Sequence, residues 1–114
     1  MRELTVGKNL TAGSANTVYT IPKGCKGIAT LLMLSNAGGS SKSITATWYD
    51  KSDNTSTTIV GGKSVGAGDY LIFDQGRMVM DEFDELRVTP EASSTFSVIF
   101  TVELVQSTAY QNGS

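Results

Sequence analysis

Four carboxylates crowd into one short stretch, at Asp81, Glu82, Asp84 and Glu85, and form the densest set of oxygen ligands in the chain. Two chemistries could use such a set. Calcium takes about 6 to 8 oxygens from a loop that wraps around it, but the spacing here is not that of an EF-hand. Paired carboxylates also hydrolyse glycosides, one as acid and one as base or nucleophile, although neither a sugar-sized cleft nor a carboxylate separation can be read from sequence. A solvated acidic loop between two strands explains the same residues more simply. On that reading no catalytic, cofactor-binding or metal-ligating residue is assigned.

Other reactive groups are sparse. The chain has no histidine, so it lacks the commonest general base and the commonest transition-metal ligand. Its single cysteine, Cys25, lies between Lys23 and Lys26; it cannot form an intrachain disulfide and reads as a small residue near a turn. Gly62-Lys63-Ser64 ends like a phosphate-binding loop, but the required earlier glycine falls at Thr57 and no helix follows. Gly66-Ala67-Gly68 begins a dinucleotide fingerprint whose last glycine position is Leu71. Both matches are accidental. Asn9-Leu10-Thr11, Asn54-Thr55-Ser56 and Asn112-Gly113-Ser114 fit the glycosylation pattern and carry no meaning without a secretory route. Trp48 shares a strand face with Ile44 and Ala46 and reads as core, whereas Tyr49 lies with Thr45 and Thr47 on the polar side.

The elements that carry these residues are strands. Phe96, Val98, Phe100, Val102 and Leu104 alternate with Ser97, Thr101 and Glu103, the period-two pattern of a half-buried strand. Ile99 and Val105 interrupt the polar side, which implies that part of that face is also covered. Leu86 and Val88 make a second strand, and residues 90–94 turn it into the last one. Shorter apolar segments at 70–74 and 78–80 follow the glycine-rich turn at 65–69. Pro22-Lys23-Gly24 separates strands at 17–21 and 27–35, and 43–50 and 56–60 complete the series. Leu4 and Val6 form a weaker first strand. Residues 77–87 admit a short helix, with Met78, Phe83 and Leu86 imperfectly placed for one face. The turn spacing instead predicts an all-β fold: an antiparallel, jelly-roll-like β-sandwich of about eight strands.

At 114 residues the chain suits one domain with one core. A mobile N-terminal arm is expected over residues 1–16, and a mobile C-terminal tail over residues 106–114. Removal of residues 1–10 should then leave the domain folded. Net charge is −2, with 11 acidic and 9 basic residues spread along the chain, so no basic stripe exists to bind nucleic acid. The longest apolar run is residues 31–34, far short of a membrane span or a signal peptide. Neither nucleic acid nor membrane is expected as a partner, and folding in a cytoplasm is expected.

One segment resists a simple sandwich. Residues 27–35 are apolar on both sides, with Ile28, Leu32 and Leu34 on one face and Ala29, Leu31 and Met33 on the other. A sheet in a two-layer sandwich has one inner face. A loop covers the second set, or a bulge shifts the register, or another subunit buries it.

The stretch Thr17-Val18-Tyr19-Thr20-Ile21-Pro22-Lys23-Gly24, followed by the strand from Gly27 to Asn36 and a Gly/Ser loop, resembles the opening of small β-sandwich virion proteins of tailed bacteriophages. The turn Gly66-Ala67-Gly68-Asp69 before Tyr70, the segment Asp84-Glu85-Leu86-Arg87-Val88 and the long final strand extend the likeness from about Thr17 to Leu104. Cys25 departs from the pattern, where a small or polar residue is more ordinary. The resemblance implies a capsid decoration (cement) protein of the virion, made and assembled in the host cytoplasm. Its implied partners are the major capsid protein or other virion proteins, together with copies of itself, a trimer being favoured. A tail or head-tail junction accessory uses the same fold, and a carbohydrate-binding module is the rival from another class. Contacts are expected through residues 1–16, 36–42 and 106–114.

Overall fold

A computed structural model describes residues 2–106, and among them are nine strands and no helix. They are β1 (Arg2–Asn9), β2 (Asn16–Thr20), β3 (Cys25–Asn36), β4 (Lys42–Asp50), β5 (Thr55–Val65), β6 (Tyr70–Phe73), β7 (Met78–Met80), β8 (Glu85–Pro90) and β9 (Phe96–Gln106). The helix considered for residues 77–87 is instead β7, a turn and β8. All strand pairs are antiparallel.

Sheet A has the order β1-β9-β3-β6, with β7 also paired to β3, and sheet B the order β2-β8-β4-β5. If β6 and β7 are counted as one interrupted strand, the chain forms two four-stranded sheets and crosses between them as an eight-stranded jelly roll does. The core lies between the sheets. Phe96, Val98, Phe100, Val102 and Leu104 enter it from β9, Leu32 and Leu34 from β3, and Ile44, Ala46, Leu86 and Val88 from sheet B. The alternation that marked the last strand thus sorts its residues as expected.

Strand β3 resolves its two apolar faces by a bulge. Its pairing with β9 shifts between Ala29 and Leu31, and an unpaired extra residue moves everything beyond it to the opposite face. Ala29, Leu32 and Leu34 are therefore buried, while Ile28, Leu31 and Met33 lie on the outer face. Unbroken alternation had grouped Ile28 with Leu32 and Leu34. Gly27 permits a further close approach: a methyl group there would collide with the side chain of Ile21 and lie 3.1 Å from a Val102 methyl. The loop residue Ile21 can in this way plug the core from beyond the end of β2.

Two buried polar side chains close the ends of the sandwich. Asp84 is 1% exposed. It accepts from Trp48 Nε1 at 3.1 Å, from the backbone N–H of Lys51 at 3.0 Å and from that of Asp81 at 3.0 Å. At the other end Asn36, also 1% exposed, donates to the carbonyls of Ser40 and Val65 at 2.9 and 3.0 Å and accepts from Gly38 N–H at 2.9 Å. The loop expected to begin at Asn36 is therefore pinned at that residue, because a buried amide must find partners. Only the residues after it project.

The segment expected as an N-terminal arm is largely strand. β1 pairs with β9 from Arg2↔Leu104 to Asn9↔Ser97, and Leu4, Val6 and Leu10 pack against the core. The alternation of Leu4 and Val6 supplies the apolar side that makes this docking favourable. Of the expected tail, Gln106 closes β9, and positions 107–114 lie outside the described residues.

Two outcomes follow. Asp84→Ala leaves the indole N–H and two backbone N–H groups without their acceptor, and unfolding stability should fall by about 3 kcal/mol, with Asp84→Asn costing less; urea denaturation of the three proteins measures both. Removal of residues 1–10 strips an entire edge strand, so the thermal midpoint should drop by about 10 °C or more, a cost that a mobile arm would not carry.

Candidate functional site

The acidic segment 81–85 is held by structural partners rather than left free. Asp84 is consumed by the three hydrogen bonds above. Glu82 accepts from Gly24 N–H at 2.9 Å, which ties this turn to the one between β2 and β3. Glu85 accepts from Arg87 Nε at 2.8 Å and from Thr17 Oγ1 at 3.2 Å. Asp81 forms a solvent-exposed ion pair with Lys26 at 3.8 Å. Each carboxylate is thus engaged by a different partner. Among the described residues no three His, Cys, Asp or Glu side chains form a group able to hold a metal ion. Phe83, between them, has a left-handed backbone with φ 69°, held by its N–H to Ile21 O at 2.7 Å and by the Asp84 N–H to Asp81 O at 3.1 Å.

Trp48 is half-buried, packs against the core and spends its indole N–H on Asp84. Tyr49 lies on the opposite face, with the Arg87 guanidinium carbon 4.0 Å from its ring centroid and its hydroxyl bonded to Asn54 Oδ1. The two adjacent aromatics divide between faces as alternation requires. Gly62-Lys63-Ser64 lies within β5, and Gly66-Ala67-Gly68 forms the turn before β6, where Gly68 N–H bonds Asn36 O at 2.9 Å. Cys25 begins β3, is partly buried and packs against the core.

Electrostatic perturbation is confined to structural contacts. The backbone N–H of Ser43 holds the Glu91 carboxyl below the ordinary range, with Lys42 adding to the effect, and burial pushes the Tyr19 phenol up. Neither group faces a cleft built from reactive side chains.

What remains unsatisfied is apolar surface. On the outer face of sheet A, Met33 is directly opposite both Ile72 and Ile99, making an apolar row across three strands. Ile28 is opposite Val79, and Leu31 lies between the two levels. Ile72, Val79 and Ile99 are 45%, 50% and 40% exposed. No loop among the described residues buries them. The side of the sandwich between β5 and β6–β7 is also open: a cavity of about 190 Å³ lies beside the β3 bulge, lined by Leu31, Ile59, Phe73, Met78, Leu86 and Phe100. Sequence reasoning noticed Ile99 and the doubly apolar β3. It could not assemble the row, because Ile72 joins it only through long-range register.

If the acidic turn is structural, added calcium has no differential affinity for the folded state and leaves its stability unchanged. A thermal melt in millimolar calcium should superimpose on one in chelator. A rise of several degrees would identify a calcium site.

No protein-family model and no curated protein matches the chain. Solved structures do share its fold. A structure of Bacillus endospore appendages, described as a novel family of disulfide-linked pili, matches at 14% identity over 89% of this chain and 82% of that one, with TM-score 0.53. A chain of the T13 IBDV viral particle matches at 11% identity over 96% of this chain and 32% of its own, with TM-score 0.56. The Gx strain of infectious bursal disease virus gives 13% identity, 92% and 32% coverage, and TM-score 0.53. The chain spans about a third of the two viral chains. At these identities the likeness is one of fold: a β-sandwich that also occurs within chains of viral particles and in a pilus.

Proposed function

We propose that this protein is a non-catalytic structural component of a virion, of the capsid decoration (cement) type and associated with a tailed bacteriophage. The observation that carries the reading is the uncovered apolar row Ile72–Met33–Ile99 on the outer face of sheet A. A sandwich needs one apolar face per sheet, and a second exposed one marks a surface that meets another molecule, here read as an assembly partner. The engagement of every carboxylate in the acidic segment by structural partners supports the absence of a catalytic role. The fold likeness to chains of viral particles is consistent with a place beside the major capsid protein.

The mechanism is mechanical. A protein that binds surface present only in the assembled shell stabilises the shell by mass action and does nothing for free subunits. The open edge between β5 and β6–β7, with Ile59 and Phe73 exposed beside the cavity, offers an additional contact for a shell subunit. A tail or head-tail position would use the same surfaces at much lower copy number.

Counting copies of this chain per purified particle, by quantitative mass spectrometry against the major shell protein, tests the reading. A simple fractional ratio is expected. A ratio of a few per hundred moves the protein to the tail or head-tail junction, and absence from particles overturns the virion role.

A further inference from the structure

We propose that the outer face of sheet A is self-complementary and binds the same face of a second copy of this chain, about a twofold axis that crosses the strands at the level of Phe100. The inference rests on the reading of this face as an assembly surface and adds the identity of the partner and the geometry of the pair.

The register of sheet A arranges the outer side chains in five levels, of which four make the contact; the fifth, Lys26 and Val105, lies beyond them. The first holds Tyr70, Ser35, Ser97 and Asn9, and the second Ile72, Met33, Ile99 and Gly7. Leu31, Thr101 and Thr5 form the third, and Val79, Ile28, Glu103 and Glu3 the fourth. Phe100, which points inward, lies midway between the second and third. A twofold axis there sets the second level of one copy on the third of the other and the first on the fourth.

Charge favours that match. Glu3 and Glu103 are directly opposite each other, and like charges so placed on one face are destabilising. Neither has an ion-pair partner among the described residues. The level they would meet carries a phenol, two hydroxyls and an amide, all hydrogen-bond donors. The paired residues of the two central levels are uncharged, and Asp74 and Arg77 flank them in the link between β6 and β7. The arrangement occurs twice in the pair, as symmetry requires of an isologous contact.

Gly7 is an independent indication. It lies in the second level beside Ile99, and a methyl group there would meet nothing within the chain closer than Val98 O at 3.9 Å. Nothing inside the subunit calls for glycine. A glycine within a strand weakens it, and such a residue often marks where another backbone approaches closely. The hollow beside Ile99, bordered by Asn9 and Ser97, admits the partner's sheet at the spacing of about 10 Å found between packed sheets.

Four strands by four levels give a contact on the order of 400 Å² per copy, below that of a typical stable complex. The free protein should therefore pair weakly, with the contact reinforced where copies are concentrated on an assembly. Sedimentation velocity of the full chain over a concentration series up to about 1 mM should show reversible dimer, and Ile99→Glu should remain folded by circular dichroism yet sediment as monomer. In a Cys25→Ser background, a mixture of Ile99→Cys and Thr101→Cys chains should be joined by a short bismaleimide faster than either chain alone, because packed sheets lie too far apart for a direct disulfide. Monomer at every concentration, a trimer, or a dimer indifferent to Ile99→Glu overturns the proposal, as does equal cross-linking of mixed and single chains. Copy number in particles is a separate readout: presence in particles with a monomer in solution overturns only the pair, and a dimer that is absent from particles overturns only the virion role.

Discussion

Strand β3 is the constraint around which the molecule is built. It is hydrogen-bonded to β9 from Cys25↔Gln106 to Asn36↔Phe96 on one edge, and to β6 and then β7 on the other. Apolar on both sides, it cannot bury everything it carries in a single core. The bulge at its middle decides the division. Ala29, Leu32 and Leu34 face the other sheet, and Ile28, Leu31 and Met33 face outward. The same place interrupts its second partner, since Asp74-Gln75-Gly76-Arg77 separate β6 from β7 opposite the bulge. The cavity beside Leu31 and Met78 opens there. One inserted residue thus sets the core, the outer apolar rows and the open edge together.

The polar chemistry of the chain serves closure. Asp84 gathers the end of β4, the following turn and its own turn around one carboxylate, and Asn36 gathers the loop after β3 and the end of β5 around one amide at the opposite end. Such fully satisfied polar groups fix a loop arrangement that apolar packing alone leaves open. Glu82 and Glu85 bind their own neighbours for the same purpose. A cluster that in sequence suggests calcium or paired catalytic carboxylates is therefore explained residue by residue as loop anchorage. The surface left with unmet requirements is apolar, and that directs attention to assembly.

The alternation of Phe96 through Leu104, the turn signals and the absence of helical periodicity determine an all-β sandwich from the sequence alone, because the two-residue period of a strand is a local property of the backbone. The placement of Trp48 toward the core and Tyr49 away from it follows from the same rule. The lack of histidine and the single cysteine are equally plain without coordinates. Local pattern does not contain the β3 bulge, which exists only against β9, some seventy positions away. Nor does it reveal that Ile72, Met33 and Ile99 share a row, that Glu3 faces Glu103, or that residues 2–9 dock as a strand instead of extending as an arm. Those are matters of register, set by hydrogen bonds between distant segments, and a shift of one residue turns every side chain to the other face. Strand identity was therefore decided by the sequence, and the faces that meet the core or a neighbour by the tertiary structure.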